Sequence, residues 1–141
     1  MELETSSFKV STDDRVELRK ITDRVEDAID ESDAGDGLVF VSTPHTTVAL
    51  FTNEYEKRLT QDIIDFFGEY VPPEGGYLHD RHHVATETQP NAHAHIITSM
   101  VHTPVLALLQ DGTLQLGQWE DVLFFDLDGP STRTVRVTIL E

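Results

Sequence analysis

Hydrophobic positions in this chain change their spacing several times, and each change marks an element. Phe8 and Val10, then Val16 and Leu18, alternate with polar neighbours on either side of Ser11-Thr-Asp-Asp14, the pattern of a β-hairpin. Behind Thr22, a residue type that caps helix N-termini, Val25, Ala28 and Ile29 recur at helical spacing, and Ser32-Asp-Ala-Gly-Asp-Gly37 closes that helix. Leu38-Val-Phe-Val41 and Val48-Ala-Leu-Phe51 are short apolar runs with turn signals around them, as buried strands are, and His45-Thr-Thr47 lies at the junction between them. Leu59, Ile63 and Phe67 repeat every four residues, an inward stripe on a second helix that starts near Asn53-Glu54 and stops at Gly68. Ala92, Ile96 and Met100 suit a third helix capped by Asn91, although Ala92, Ala94 and Ile96 also alternate as a strand would. The rest reads as strands. Val105 to Leu109 and Leu114 to Leu116 form a hairpin around Gln110-Asp-Gly-Thr113, and Val122 to Leu127 is followed, after Asp128-Gly-Pro130, by the alternating Val135, Val137 and Ile139.

Neighbouring hairpins with about three helices predict an α+β fold on a mainly antiparallel sheet, not a wound parallel one. A chain of 141 residues is expected to hold this as one domain, residues 1–141. No glycine-rich loop has the spacing of a dinucleotide or P-loop fingerprint. The longest apolar run, Val105 to Leu109, is far short of a membrane span, and no basic and apolar leader opens the chain, so the expected location is cytoplasmic.

Composition changes this picture in two respects. Cysteine is absent, which removes disulfides, a thiolate nucleophile and sulfur-based zinc sites, and leaves His, Asp and Glu as the only metal ligands. A formal charge of −16, from 26 acids scattered along the chain against 10 lysines and arginines, describes a solvated acidic coat. Such a coat repels nucleic-acid phosphates and anionic lipid, so neither is an expected partner. It also fits a salt-rich, halophilic cytoplasm, where screening weakens the self-repulsion.

Candidate chemistry centres on Tyr77 to His95, which holds five of the seven histidines: His79, His82, His83, His93 and His95. Imidazole is both a common metal ligand and a group that exchanges protons near neutral pH. With the junction His45, the set His45, His79, His93 and His95 is a candidate for a divalent ion, zinc or magnesium, with one position left open. His45 and His95 acting instead on substrate as acid or base need no metal. On a helix His93 and His95 diverge by roughly 200°, so only one reaches a given site, and Asn91, His95 and Ser99 then align. Thr46 and Thr47 offer hydroxyls to an anion, or satisfy their own backbone. Glu54 either orients a histidine or caps the following helix. Arg133 and Arg136 stand out in so acidic a chain; an anion or the nearby Asp126 and Asp128 are their alternative partners. Trp119, the only tryptophan, reads as core.

The blocks His45-Thr-Thr-Val-Ala-Leu-Phe-Thr-Asn-Glu54, Asn91-Ala-His-Ala-His95, Asp111 to Trp119 and Asp128-Gly-Pro130 together resemble the YjbQ family, in the right order across residues 5 to 141. The resemblance implies an α+β domain whose mainly antiparallel sheet closes toward a barrel or sandwich, a homotrimer, and a histidine-lined pocket that holds a metal or an anion. It further implies a weak thiamine-phosphate synthase activity, in which a pyrimidine pyrophosphate joins a thiazole phosphate and pyrophosphate leaves. Carried over by motif, the site residues are His45, Thr46, Thr47, Asn53, Glu54, Asn91, His95, Gly117 and Trp119, with His79 and His93 matching more loosely. Two positions depart from the family pattern: Glu120 follows Trp119 where the family has glutamine, and Ser131 follows Gly129-Pro130 where it has arginine. The second removes a positive charge from a phosphate site, which Arg133 replaces in this reading. The alternatives to a transferase acting on a small phosphorylated substrate are a metal- or anion-binding module without turnover, and a trimeric scaffold or regulatory protein.

Overall fold

In the computed structural model, which describes residues 1–141, the elements follow in the order β1 (Leu3–Ser11), β2 (Glu17–Lys20), α1 (Thr22–Ser32), β3 (Gly37–Ser42), β4 (Val48–Asn53), α2 (Lys57–Tyr70), α3 (Asp80–Thr86), α4 (Ala92–Val101), β5 (Val105–Gln110), β6 (Thr113–Gln115), β7 (Asp121–Asp126) and β8 (Thr132–Leu140). All pairings are antiparallel, and the strands divide into a larger sheet, β1-β8-β3-β5-β6, and a smaller one, β2-β7-β4. The alternation of Val135, Val137 and Ile139 aims these side chains inward from β8, where they meet Val39 and Val41 of β3 and Leu50 and Phe124 of the smaller sheet. Val25 and Ile29, spaced for one helix face, bring α1 into the same core.

The smaller sheet is buried on its other face too. Leu18, Ala49, Leu123 and Phe125 form a second core with Ala94 and Ile97 of α4, and Ile63, Ile64 and Phe67 of α2 pack against it. The molecule therefore has three layers, sheet on sheet with helices behind the smaller one. A strand covered on both faces has no reason to alternate, which explains the continuous run Val122-Leu-Phe-Phe125. The outer face of the larger sheet has no such cover. Leu3, Leu140, Leu38 and Leu108 lie in one cross-strand row, Phe40 and Leu106 pair in the next, and Leu3, Leu106 and Leu108 are exposed.

The α+β, antiparallel architecture matches the sequence pattern, but the two sheets face each other and do not close into a barrel. The apparent hairpin at Phe8 to Leu18 does not form. β1 pairs with β8 and β2 with β7, because the connection crosses between layers and is pinned there by Thr12 N–H on Ser131 O at 2.8 Å and by Gly129 N–H on Arg15 O at 2.9 Å. A Cβ at Gly129 would come within 2.4 Å of Asp14 O, so only glycine allows this approach. The second helix starts at Lys57, where the Glu56 carboxylate accepts the Leu59 N–H at 2.7 Å, and it continues through Gly68 to Tyr70. A fourth helix, α3, occupies the middle of the histidine-rich stretch. Trp119 is surface rather than core, 68 % exposed. No helix is long and apolar enough to cross a membrane.

Candidate functional site

Because β3 and β4 belong to different sheets, the chain from Thr43 to Thr47 crosses between layers, and this crossing fixes His45. Thr43 Oγ1 donates to Thr134 O at 2.8 Å and accepts the His45 N–H at 3.4 Å, while the Thr134 N–H donates to His45 Nε2 at 2.9 Å. With Nε2 accepting, the hydrogen-bond network assigns the proton of the neutral ring to Nδ1. Burial, followed by the nearby Arg133 guanidinium, holds the His45 pKa below its ordinary value, so the ring stays neutral at pH 7. The backbone N–H groups of Thr46 and Thr47 in the same turn find no carbonyl partner.

α4 brings a second histidine to this turn. The Thr98 hydroxyl donates to Thr46 O at 2.7 Å, tying the helix to the crossing, and His95, one turn earlier, joins His45 on the wall of a cavity of about 320 Å³. Thr43, Thr46, Thr98, Ser99 and His102 complete its polar lining. On the other side of His95 lies a cavity of about 550 Å³, formed by Tyr77, Leu78, His79, Ala92 and Ile96. His95 is thus the shared wall between a polar and a largely apolar depression. Its pKa is lowered by burial and then by His79, whose ring meets it edge to face at 5.1 Å. His102, which has no sequence signal beyond its place before Pro104, accepts the Leu50 N–H through Nδ1 at 3.0 Å, and burial lowers its pKa.

Other candidates lie elsewhere. His93, two residues from His95, is 3 % exposed and points toward Arg15, Asp80 and Pro90 on a different face of α4. Thr47 is buried, and its carbonyl accepts the Leu127 N–H at 3.1 Å. Asn91 donates its side-chain amide to Asp128 at 2.8 Å while its carbonyl starts α4. Arg133 is committed to the fully buried Asp126, with Nε and Nη2 at 3.0 and 3.2 Å from its two oxygens, and also donates to Asp128 O at 2.8 Å. Glu54 sits at the far end of β4 with Trp119 and Glu120. His79 and His83, one turn apart, place their Nε2 atoms 3.2 Å from each other, and His83 Nδ1 is bonded to Thr88 Oγ1 at 2.6 Å.

The four candidate metal ligands are therefore not gathered. His79 and His95 are neighbours, His45 has Nε2 engaged by backbone, His93 is on another face, and no three His, Asp or Glu side chains are arranged to hold an ion. Within one chain the donor set does not fit a divalent cation.

A two-sheet sandwich backed by helices, with adjoining polar and apolar depressions separated by a histidine, places the molecule among small α+β domains with a histidine-lined pocket. The family model described as UPF0047 protein YjbQ-like matches residues 6–141, and the chain belongs to that family. It is 42% identical over 131 residues to a UPF0047 protein of Archaeoglobus fulgidus, covering 93% of this chain and 97% of the relative. A solved hypothetical protein of Aeropyrum pernix superposes with a TM-score of 0.90 at 36% identity, covering 97% of this chain and 98% of that one. A solved YbjQ-like protein of unknown function from Sulfolobus solfataricus gives 0.88 at 29%, covering 98% and 96%. The family's function is uncharacterised.

Proposed function

We propose that the paired depressions around His95 bind a small phosphorylated heterocycle and support group transfer of the thiamine-phosphate synthase type. The observation that carries this reading is the position of His95 between the two. The polar side offers His45 Nδ1–H and the hydroxyl and N–H of Thr46, donors that suit phosphate oxygens without calling on lysine or arginine. The apolar side, with Tyr77, Leu78 and Ile96, suits the flat face of a ring. When pyrophosphate leaves a pyrimidine methylene, the carbon–oxygen bond breaks with both electrons going to oxygen, and the thiazole nitrogen then forms the new bond to that carbon. Fixed donors stabilise the charge growing on the leaving group, and the neutral His95 ring exchanges a proton with it.

A second reading, binding without turnover, is favoured by one feature. No carboxylate hydrogen-bonds His45, His95 or His102, and Glu54, the acid of the family motif, is remote from them. Titration of untagged protein with inorganic pyrophosphate, followed through the histidine ring protons, tests the site: His45 and His95 shift, and His95→Ala weakens binding about tenfold or more. Shifts confined to His93 would refute the assignment. Rescue of a thiamine-requiring strain by the native gene, reduced about 10²-fold or more in His95→Ala, separates turnover from binding. A stoichiometric ion that both His45→Ala and His95→Ala lose would replace this reading with a metal site that includes those two histidines.

A further inference from the structure

Trp119 stands 68 % exposed in the connection between β6 and β7. Beside it Thr52, Asn53, Glu54 and Glu120 line an open depression of about 300 Å³. An indole left in water at an acidic edge is costly for a surface that is otherwise charged, and aromatic residues of this kind are typical interface anchors. The apolar cavity beside His95 has the converse shape. It is walled by Tyr77, Leu78, His79, Ala92 and Ile96, and Leu78 is 74 % exposed on its rim. The two features cannot meet within one chain. His45 precedes β4 and Glu54 follows it, so at about 3.3 Å per residue they are separated by the strand's length, about 20 Å.

We propose that Trp119 of one copy of the chain seats in the cavity beside His95 of the next copy, carrying Glu54 and Glu120 to His79 and His95. Three observations support this head-to-tail contact. The indole N–H is a donor, and the His95 ring on the cavity wall offers an acceptor nitrogen. The charges are complementary: the Trp119 edge carries Glu54 and Glu120, whereas the cavity lining holds no acid and α3, which follows His79, carries the exposed Arg81. Asp80, the nearest acid on α3, is turned to the Ala92 N–H at 3.1 Å. Finally, the cavity is wider than one indole, so the inserted ring becomes a stacking face beside the remaining space. A heterologous contact of this kind closes into a ring when its rotation permits. The consequence for the site, a carboxylate from the next copy beside His95, rests on the function proposed above; the contact itself does not.

Two properties of the sequence make the test specific: Trp119 is the only tryptophan, and there is no cysteine. In molar KCl, assembled native protein is expected to show blue-shifted tryptophan emission that moves red on dilution to monomer. Trp119→Ala and Leu78→Asp, both at exposed positions that spare the core, are expected to be folded by circular dichroism and monomeric. The double variant Leu78→Cys with Glu120→Cys, oxidised, should give covalently closed oligomers, while neither single variant links to itself. Red-shifted emission in an assembled state overturns the contact, as does self-linking by a single cysteine, or an assembly that survives Leu78→Asp but is dissociated by Leu106→Asp on the outer sheet. Pyrophosphate binding at His45 and His95 that is unchanged in the Trp119→Ala monomer, whose own cavity is intact, leaves the proposed ligand site standing and overturns the contribution of a second copy to it.

Discussion

His45 is fixed by what its neighbours on β8 do. Arg133 is locked onto Asp126, and the next residue, Thr134, donates its N–H to the histidine ring. Asp126 is fully buried and is also bonded by the Thr12 hydroxyl at 3.1 Å and by the Asp128 N–H at 3.0 Å. Removing one partner of such a pair strands a charge away from water, so Asp126→Ala is expected to cost about 3–5 kcal/mol in chemical denaturation. A loss under 1 kcal/mol would show that the pair is not structural. The sequence left Arg133 open between an anion and these aspartates, and geometry gives it to the aspartate. The histidines make a second prediction. His45, His93, His95 and His102 all titrate below their ordinary value, chiefly because burial disfavours the charged ring. As pH falls through about 6.5 the unfolded chain takes up protons that the folded chain refuses. Stability present above that pH is therefore lost below it, until the folded pKa values are reached. Unfolding at pH 6 should take up protons, read as a buffer-dependent heat in calorimetry, and substitution of His93 by Gln should reduce the uptake; no uptake would contradict the burial of these rings.

Among the elements, the strands were legible and their partners were not. Period-two alternation in Val135, Val137 and Ile139 and the turn at Asp111-Gly112 report local facts, and the β5–β6 hairpin forms as expected. Alternation says nothing about which sheet a strand joins. Phe8 to Leu18 thus looked like a hairpin, while its two arms entered different layers. α3 was hidden because it buries nothing: its one large apolar residue, Val84, is 75 % exposed, so there was no stripe to find. The same limit applies to the site. Crowded histidines drew attention to His95 and His79, and helical geometry already set His93 on another face from His95, as found; the recruitment of His102 depends on how α4 lies on β4. Thr22 shows a residue read correctly as a junction and wrongly in role. Its hydroxyl makes no cap bond but donates to Asp121 at 2.7 Å and accepts the Val122 N–H at 2.9 Å, joining α1 to β7. Thr22→Val keeps the shape and leaves that buried N–H unpaired, which should lower stability by about 1–3 kcal/mol. A neutral effect would mean that the α1–β7 junction relaxes to find the amide another acceptor.

At the scale of the whole molecule, covered and uncovered surfaces set the expectations. The continuous run of β7 is buried inside the chain and needs no neighbour. The Trp119 edge and the cavity beside His95 remain uncovered, and we propose that a homotrimer draws its contacts from them; the outer rows of the larger sheet are uncovered as well. Light scattering in high salt is expected to give three chain masses, and a monomer there would remove the trimer. Salt is specified because of charge. A formal −16 on a folded chain concentrates like charges that are further apart when the chain is unfolded, so self-repulsion opposes both folding and association. The Debye length falls from about 30 Å at 0.01 M to about 3 Å at 1 M, shorter than most separations between surface carboxylates, so molar salt removes most of that repulsion. Surface ion pairs such as Arg58–Glu56 are screened as well, but exposed pairs contribute little and the opposing loss is small. The net effect should be a melting temperature that rises from low salt to molar KCl, by about 2–4 °C for each kcal/mol of repulsion relieved. Because association also grows with salt, the comparison belongs on the monomeric Leu78→Asp variant or at a concentration where the native chain is monomeric at both ends. A melting temperature that is flat or falling under those conditions would show that the acidic coat is not an adaptation to salt.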